Sequence, residues 1–350
     1  MGYENDVHRR LQQVYDRTAD SEREIDLASA RIVIFSDHHK GQRDGADDFR
    51  RCERAYHAAL GYYLERGYTL LALGDVEELW ECRPKRAIAA YEYTLQLEAE
   101  FYRAKRYQRF TGNHDDEWES PASVKRYLDP FFPNISVAEG ARFKVKSSGT
   151  ELGTLFLVHG HQGTSFSDRR RKIAKFFVRN VWRPIQRLLN TPSTTPSTDY
   201  RLREKHDRTI YGWAAENSKL LLIAGHTHRP VFMADSHSAR VLRELKEART
   251  ALAAGADADS TQARVAGLRA ELEWIKAQGE PMPAATDSPA PILKPCYFNT
   301  GCCSFGDGDI TGLEIVDGKI KLVRWPDDDG RPVAKILATA DLQREVFAKL

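Results

Sequence analysis

The sequence predicts an α/β fold, with β-structure covered by helices on both faces. Three observations carry that expectation. Short apolar runs rich in β-branched residues alternate with amphipathic helical patterns through the first two thirds of the 350 residues. The last third reads as antiparallel strands around an Asp317-Gly318 turn signal. Hydrophobic residues make up 41% of the chain against 29% charged, enough for a sizeable core and too many for a disordered chain.

The elements follow in order. The first 30 residues are charged and read as helical. Residues 31–35 (Arg-Ile-Val-Ile-Phe) form the first buried strand. An amphipathic helix over 48–65 stops at Gly67, and 68–73 is the second strand. Pro84 opens one long helix over 84–105. Residues 107–111, 155–158 and 220–224 are the third to fifth strands, and 297–300, 312–316 and 319–325 form the antiparallel set. Two insertions interrupt a single domain spanning 1–350. The first, 162–216, holds a basic amphipathic stretch that Pro184 divides, followed by a Pro/Ser/Thr loop. The second, 236–291, repeats apolar residues at spacings of three and four (Val241, Leu245, Ala248, Leu252; then Val265, Leu268, Leu272, Ile275). That pattern predicts an antiparallel helical hairpin and a linker, packed on itself or against a second copy as a homodimer.

Composition narrows the function classes. Fifty-two basic against 50 acidic residues give a net charge of +2, which argues against a protein coated in charge for nucleic-acid binding. No apolar run approaches the roughly 18 residues of a membrane span, and residues 1–10 lack an apolar signal core. Asp6 weakens a myristoylation reading of Gly2. The five cysteines (52, 82, 296, 302, 303) form no C-x-x-C pair and read as reduced thiols, so the expected location is cytoplasmic.

The histidines are concentrated. Seven of eleven (38, 39, 114, 159, 161, 226, 228) fall in four of five short segments, each at the end of a predicted strand. These are Ser36-Asp37-His38-His39, Gly74-Asp75, Gly112-Asn113-His114-Asp115, His159-Gly160-His161 and Gly225-His226-Thr227-His228. Ligands bind at the carboxyl ends of strands in open α/β sheets, so the five ends are expected to converge. Alternation along an extended chain would point Asp37 and His39 to one side, and likewise His226 and His228, while His38 faces away. Asp75, with two carboxylate oxygens, is able to bridge two cations. Imidazole, carboxylate and amide oxygen without thiolate suit Mn, Fe, Zn or Co better than a closed Cys-based zinc site.

The blocks D-x-H, G-D, G-N-H-D, an isolated H and G-H-x-H, spread over residues 37–228, resemble the calcineurin-like metallophosphoesterase superfamily. The resemblance implies an αββα sandwich, two mixed sheets flanked by helices, with the two insertions as a helical cap and a helical hairpin. It also implies a phosphoester hydrolase with two divalent metal ions, Mn²⁺ first among them. One ion would be held by Asp37, His39 and His228 with Asp75 as the bridge, the other by Asp75, Asn113, His159 and His226. A metal-bridging hydroxide would attack phosphorus in line. His114 would serve as donor or general acid, and Asp115 would orient it.

The substrate is less direct. Residues 169–189 carry eight basic residues, Arg170 and Arg171 among them, and no acid. Such a stretch binds anionic ligands or membrane surfaces, which would place the protein peripherally on the inner face of a membrane. Its position after His159-Gly160-His161, with Gly74-Asp75-Val76-Glu77-Glu78-Leu79-Trp80, resembles the UDP-2,3-diacylglucosamine pyrophosphatase branch of the superfamily. That branch usually has Arg where His114 stands, and H-G-D in place of His159-Gly160-His161. A phosphodiester or pyrophosphate bond of a nucleotide-linked or lipid-linked substrate is therefore the leading expectation, with Arg229, His161, Arg170 and Arg171 at the substrate. A phosphomonoesterase, a protein phosphatase, a nuclease and a non-catalytic scaffold are the alternatives.

Overall fold

The computed structural model describes residues 2–163, 200–255, 257–280, 282, 293–327 and 331–350. Two mixed seven-stranded sheets pack face to face with helices outside. In chain order the strands are β1 Arg23–Asp26, β2 Arg31–Phe35, β3 Thr69–Leu73, β4 Tyr107–Phe110, β5 Val137–Ala138, β6 Gly140–Ser147, β7 Thr150–Val158, β8 Leu220–Ala224, β9 Pro230–Phe232, β10 Asp235–Ser236, β11 Tyr297–Thr300, β12 Ile310–Val316, β13 Lys319–Trp325 and β14 Lys335–Asp341. One sheet runs β1-β6-β7-β8-β11-β9-β10 and the other β14-β13-β12-β2-β3-β4-β5.

Alternation along each central strand accounts for the layers. Ile34, Leu71, Leu73, Leu155, Leu157, Leu221 and Ile223 point between the sheets and form the central core. Their neighbours point outward. Val33, Phe35 and Leu70 pack against Tyr56, Ala59 and Leu60 of the helix over Phe49–Glu65.

 
That helix is α2, and α1 (Tyr3–Arg17) precedes it in the chain. On the other sheet Phe156, Val158 and Leu222 pack against Val7 and Leu11 of α1 and against Ile210 and Trp213 of α6 (Tyr200–Glu216). Strands buried on both faces explain why these runs are continuously apolar in the sequence.

Several expectations change. Residues 84–105 form two helices, α3 Pro84–Ala90 and α4 Glu92–Arg103, because the chain leaves helical geometry at Tyr91 (φ −120°, ψ 31°). The fourth predicted strand is the end of a longer one, β7, which pairs antiparallel with β6. β1 and β14 were not expected: β1 is charged at three of its four positions, and β14 is buried at one position of seven, so neither shows a core strand's pattern. The last third is not one antiparallel set. β11 lies parallel to β8 in the first sheet, while β12 and β13 extend the second beside β2. A short helix, α5 (Pro121–Tyr127), follows β4.

The second insertion contains the expected hairpin, α7 His237–Ala253 and α8 Ala258–Ala277. Its seam buries Val241, Leu245, Ala248, Val265, Leu268, Leu272 and Ile275, whereas Leu252 near the tip is half-buried. Residues 164–199, which include Arg170, Arg171 and most of the expected cap, lie outside the described residues. No helix of the described residues is long and apolar enough to cross a membrane. All five cysteines are buried and free.

Beneath the ends of β2, β3 and β4 lies a buried charge cluster. Lys40 Nζ donates to Glu98 at 2.7 Å and sits 3.6 Å from Glu77, whose carboxylate also pairs with Arg109 and accepts from Trp118 Nε1 at 2.9 Å. Lys40, Glu98 and Arg109 are fully buried, so removing one partner strands the others without water. Arg109→Met should lower unfolding stability by about 3–5 kcal/mol, measured by urea denaturation of the purified protein.

Candidate metal centre

The five strand-end segments meet at one end of the two sheets. Asp37, His39, Asp75, Asn113 and His114 follow β2, β3 and β4 in one sheet, and His159, His226 and His228 follow β7 and β8 in the other. The loops after β2 and β3 continue side by side. His39 N–H donates to Asp75 O at 2.9 Å, and Lys40 N–H to Val76 O at 3.0 Å.

Three groups of side chains bring potential ligand atoms within 4.8 Å of one another: Asp37 with His39 and His228, Asp75 with His159 and His226, and His39 with Asp75 and His114. The first two contain residues that the resemblance assigns to the two ions, without Asp75 in the first and without Asn113 in the second. The Asn113 Oδ1 is buried and has no hydrogen-bond partner.

The backbone that positions these groups differs from the extended chain expected. Asp37, His39, Asp75, His226 and His228 all have positive φ, between 50° and 69°. A left-handed residue between ordinary ones turns the chain sharply, and each costs on the order of 1–2 kcal/mol in a non-glycine residue. Gly74 (φ 84°) lies against His159, where an added Cβ would meet the imidazole at 2.6 Å.

The donor set fits cations. Asp75 Oδ1 accepts from the His114 N–H at 2.7 Å, and its Oδ2 faces His159 Nε2 at 3.1 Å and His39 Nε2 at 3.8 Å. A bridge through Asp75 would therefore use one oxygen, Oδ2, rather than both. Asp37 Oδ2 accepts from the His226 N–H at 2.9 Å, and its Oδ1 lies 3.2 Å from His228 Nε2. The far nitrogens of two imidazoles are already committed: His159 Nδ1–H donates to the Leu73 carbonyl at 2.8 Å, and His39 Nδ1 lies 3.0 Å from Glu78 Oε2. Those contacts leave each Nε2 as the ring nitrogen that faces the carboxylates, where it would hold either a proton or a cation. Asp37 Oδ1, Asp75 Oδ2 and His159 Nε2 have no hydrogen-bond partner, an arrangement that a positive ion between them would satisfy.

The electrostatics agree. Burial alone would lower the pKa of His39, but Glu78, Asp75 and Asp37 outweigh it and push it up to about 10. His159 is pushed up to about 9, Asp75 and Asp37 again outweighing burial. Burial dominates at His226 and His228, and both are lowered. Protons and cations thus compete for the same lone pairs.

His114 and Asp115 depart from expectation. Asp115 does not orient His114. Its oxygens accept from the N–H groups of Gly112 at 2.6 Å and Val76 at 2.8 Å, tying the loops after β3 and β4 together. The His114 Nδ1 instead lies 2.7 Å from Glu78 Oε2, and its ring stacks on Trp80 at 5.2 Å between centroids. Glu78 thus touches both His39 and His114. The signal was the acid and the tryptophan of the segment after Asp75. His38 faces away, packing edge-on against Tyr56 and Phe49. His161 lies beside His159 and His226, with centroids 5.5 and 6.4 Å away. Arg229 is buried and pairs with Asp207 at 3.1 Å and Glu280 at 3.3 Å.

Sequence reasoning missed the residues that brace the last loop. Asp207 of α6 accepts from Thr227 Oγ1 at 3.0 Å and Tyr297 OH at 2.8 Å, and Asn299 Nδ2 donates to the Gly225 carbonyl at 2.6 Å. His206 Nε2–H donates to the Gly160 carbonyl and its Nδ1 accepts from Tyr3 OH at 2.6 Å, beside His226. None of these sits in a recognisable motif.

Comparison with known proteins bears on the same segments. The family model for calcineurin-like phosphoesterases matches residues 30–230. No curated protein matches the sequence. Among solved structures, vacuolar protein sorting 29 from Cryptosporidium parvum is similar at 11% identity and a TM-score of 0.35, over 89% of this chain and 98% of that one. A likeness of that size carries no argument about this chain.

Raised pKa values at His39 and His159 give the metal-free protein stability that is full below pH 6.5 and is lost as pH rises through about 9–10. A divalent cation displaces those protons, so its stabilising effect should grow with pH. The rise in melting temperature on adding Mn²⁺ should be smallest at pH 6 and largest near pH 8.5, measured by scanning calorimetry of the metal-stripped protein.

Proposed function

We propose that this chain, which belongs to the calcineurin-like phosphoesterase family, is a two-metal hydrolase of a phosphodiester or pyrophosphate bond. The observation that carries the proposal is the pair of triads Asp37, His39, His228 and Asp75, His159, His226, each with its potential ligand atoms within 4.8 Å of one another. Asp37, His39 and His228 would hold one cation, and Asp75, Asn113, His159 and His226 the other. Mn²⁺ is the first ion to test. When bound, two divalent cations supply Lewis-acid charge for the phosphoryl oxygens and lower the pKa of water.

The chain's own residues do the rest. Asp37 and Asp75 each keep one oxygen on a backbone N–H and aim the other at the centre, so neither needs to reorganise when a cation arrives. His114 has a raised pKa, because Glu78 and Asp75 outweigh burial, and so holds a proton for a leaving oxygen. Glu78 and Trp80 fix the plane of its ring. A nucleotide-linked or lipid-linked substrate is the class favoured by the basic stretch 169–189 and by the Gly74–Trp80 segment.

Metal-stripped protein should be inactive toward bis-p-nitrophenyl phosphate and regain activity with Mn²⁺. Faster turnover of p-nitrophenyl phosphate than of the bis ester would favour a phosphomonoesterase instead. Asp75→Ala and His226→Ala should lose bound metal and activity together, measured by elemental analysis beside the assay. His114→Ala should keep both metals and lose roughly 10²–10⁴-fold in kcat; a wild-type rate would remove His114 from the mechanism.

A further inference from the structure

A cavity of about 170 Å³ adjoins the candidate metal centre, and His228 lines both. Arg203 of α6, Arg229 and Cys302 line it, together with Trp274 of α8 and Gln278 just beyond that helix. The hairpin wall is held in place: Trp274 Nε1 and Gln278 Nε2 both donate to Asp307, at 2.9 and 2.6 Å.

The two guanidinium groups are not equally balanced. Arg229 is committed to Asp207 and Glu280. Arg203 donates to the Thr227 carbonyl at 3.4 Å, and no carboxylate lies within ion-pair distance of it among the described residues. Its Nε is buried without a hydrogen-bond partner among them. Burial, then the charge of Arg229, holds its pKa below the ordinary guanidinium value. A planar cation with donors to spare, facing a cavity beside a metal ligand, recognises an oxyanion by charge-assisted hydrogen bonds.

Size limits what that anion carries. Pockets that enclose a drug-sized ligand run to about 300–1,000 Å³. A cavity of about 170 Å³ takes a phosphate-sized group and little more.

We propose that this cavity is a subsite for a second phosphoryl group, bound by Arg203, next to the phosphoryl group that reacts at the metals. The inference rests on the two-metal reading above and sharpens it: the preferred substrate is a diphosphate rather than an isolated phosphodiester. It also gives the hairpin insertion a role, as the wall that closes the subsite.

The test is calorimetric titration of the Mn²⁺-loaded full chain with two non-hydrolysable probes, methylenediphosphonate and methylphosphonate. The wild type should bind the diphosphonate at least about tenfold more tightly. Arg203→Gln should weaken the diphosphonate roughly 10–100-fold and leave the monophosphonate within about twofold. Arg203→Lys, which keeps the charge without the fork, should recover part of the loss. Equal losses for both probes, an unchanged diphosphonate affinity in Arg203→Gln, or no wild-type preference would each overturn the proposal. The two readings fail separately. Binding of the diphosphonate through Arg203 without hydrolysis of either p-nitrophenyl ester or of a disubstituted pyrophosphate would sink the hydrolase and keep the subsite. Hydrolysis of the bis ester with wild-type diphosphonate binding in Arg203→Gln would do the reverse.

Discussion

Asp37 and Asp75 are buried at the junction of the two sheets, with an oxygen of each facing imidazole nitrogens rather than donors. Negative charge without water is costly unless it is compensated, and that constraint organises what surrounds it. Each carboxylate spends one oxygen on an amide from another loop, Asp37 on His226 and Asp75 on His114. The first of these contacts joins the sheets: Asp37 follows β2 in one, and His226 follows β8 in the other. The same atoms that prepare a cation site therefore hold the open end of the sandwich together.

The cost of that arrangement is visible in the backbone. Five of the seven candidate ligands sit in left-handed geometry, and together they store several kcal/mol, at about 1–2 kcal/mol each. Such residues persist only where their surroundings over-determine them. Here the surroundings are specific. Asp115 ties the loops after β3 and β4 through two amides, Asp207 and Asn299 brace the loop after β8, and Lys40 anchors the loop after β2 to Glu98. These bracing groups are buried, polar and paired, and none reaches the centre directly.

The contrast between ligands and braces explains what was legible in the sequence. Histidines and aspartates at strand ends carry their chemistry in their identity, and short apolar runs before them locate the strands, so the convergence of residues 37–228 could be read without coordinates. The hairpin was equally plain, because its spacings of three and four report the seam now seen between Val241 and Ile275. The division of the strands between two sheets left no mark in the residues themselves, since β2 and β8 are both apolar on both faces. Braces such as Asp207 and Asn299 were hidden for a related reason. Their roles come from tertiary proximity across as many as 90 residues of chain. Asp115 shows the opposite hazard: adjacency to His114 suggested a partnership that the backbone amides of Gly112 and Val76 took instead.

The balance of charge around the centre bears on which substrates such a site would accept. Among the described residues, the acidic groups nearest the centre are already spent: Asp115 on amides, Glu78 on His39 and His114, and Asp207 on Arg229, Thr227 and Tyr297. Arg203 has no such partner. Two cations at the ligand cluster would add four positive charges to that surplus, a field that favours a polyanion over a singly charged diester. The core sandwich alone does not set this preference. Arg203 comes from α6 and Trp274 from α8, and both helices lie in the segments that interrupt the strand pattern. On the two-metal reading the sheets would present the reactive centre, and the two helices would limit what can lie beside it.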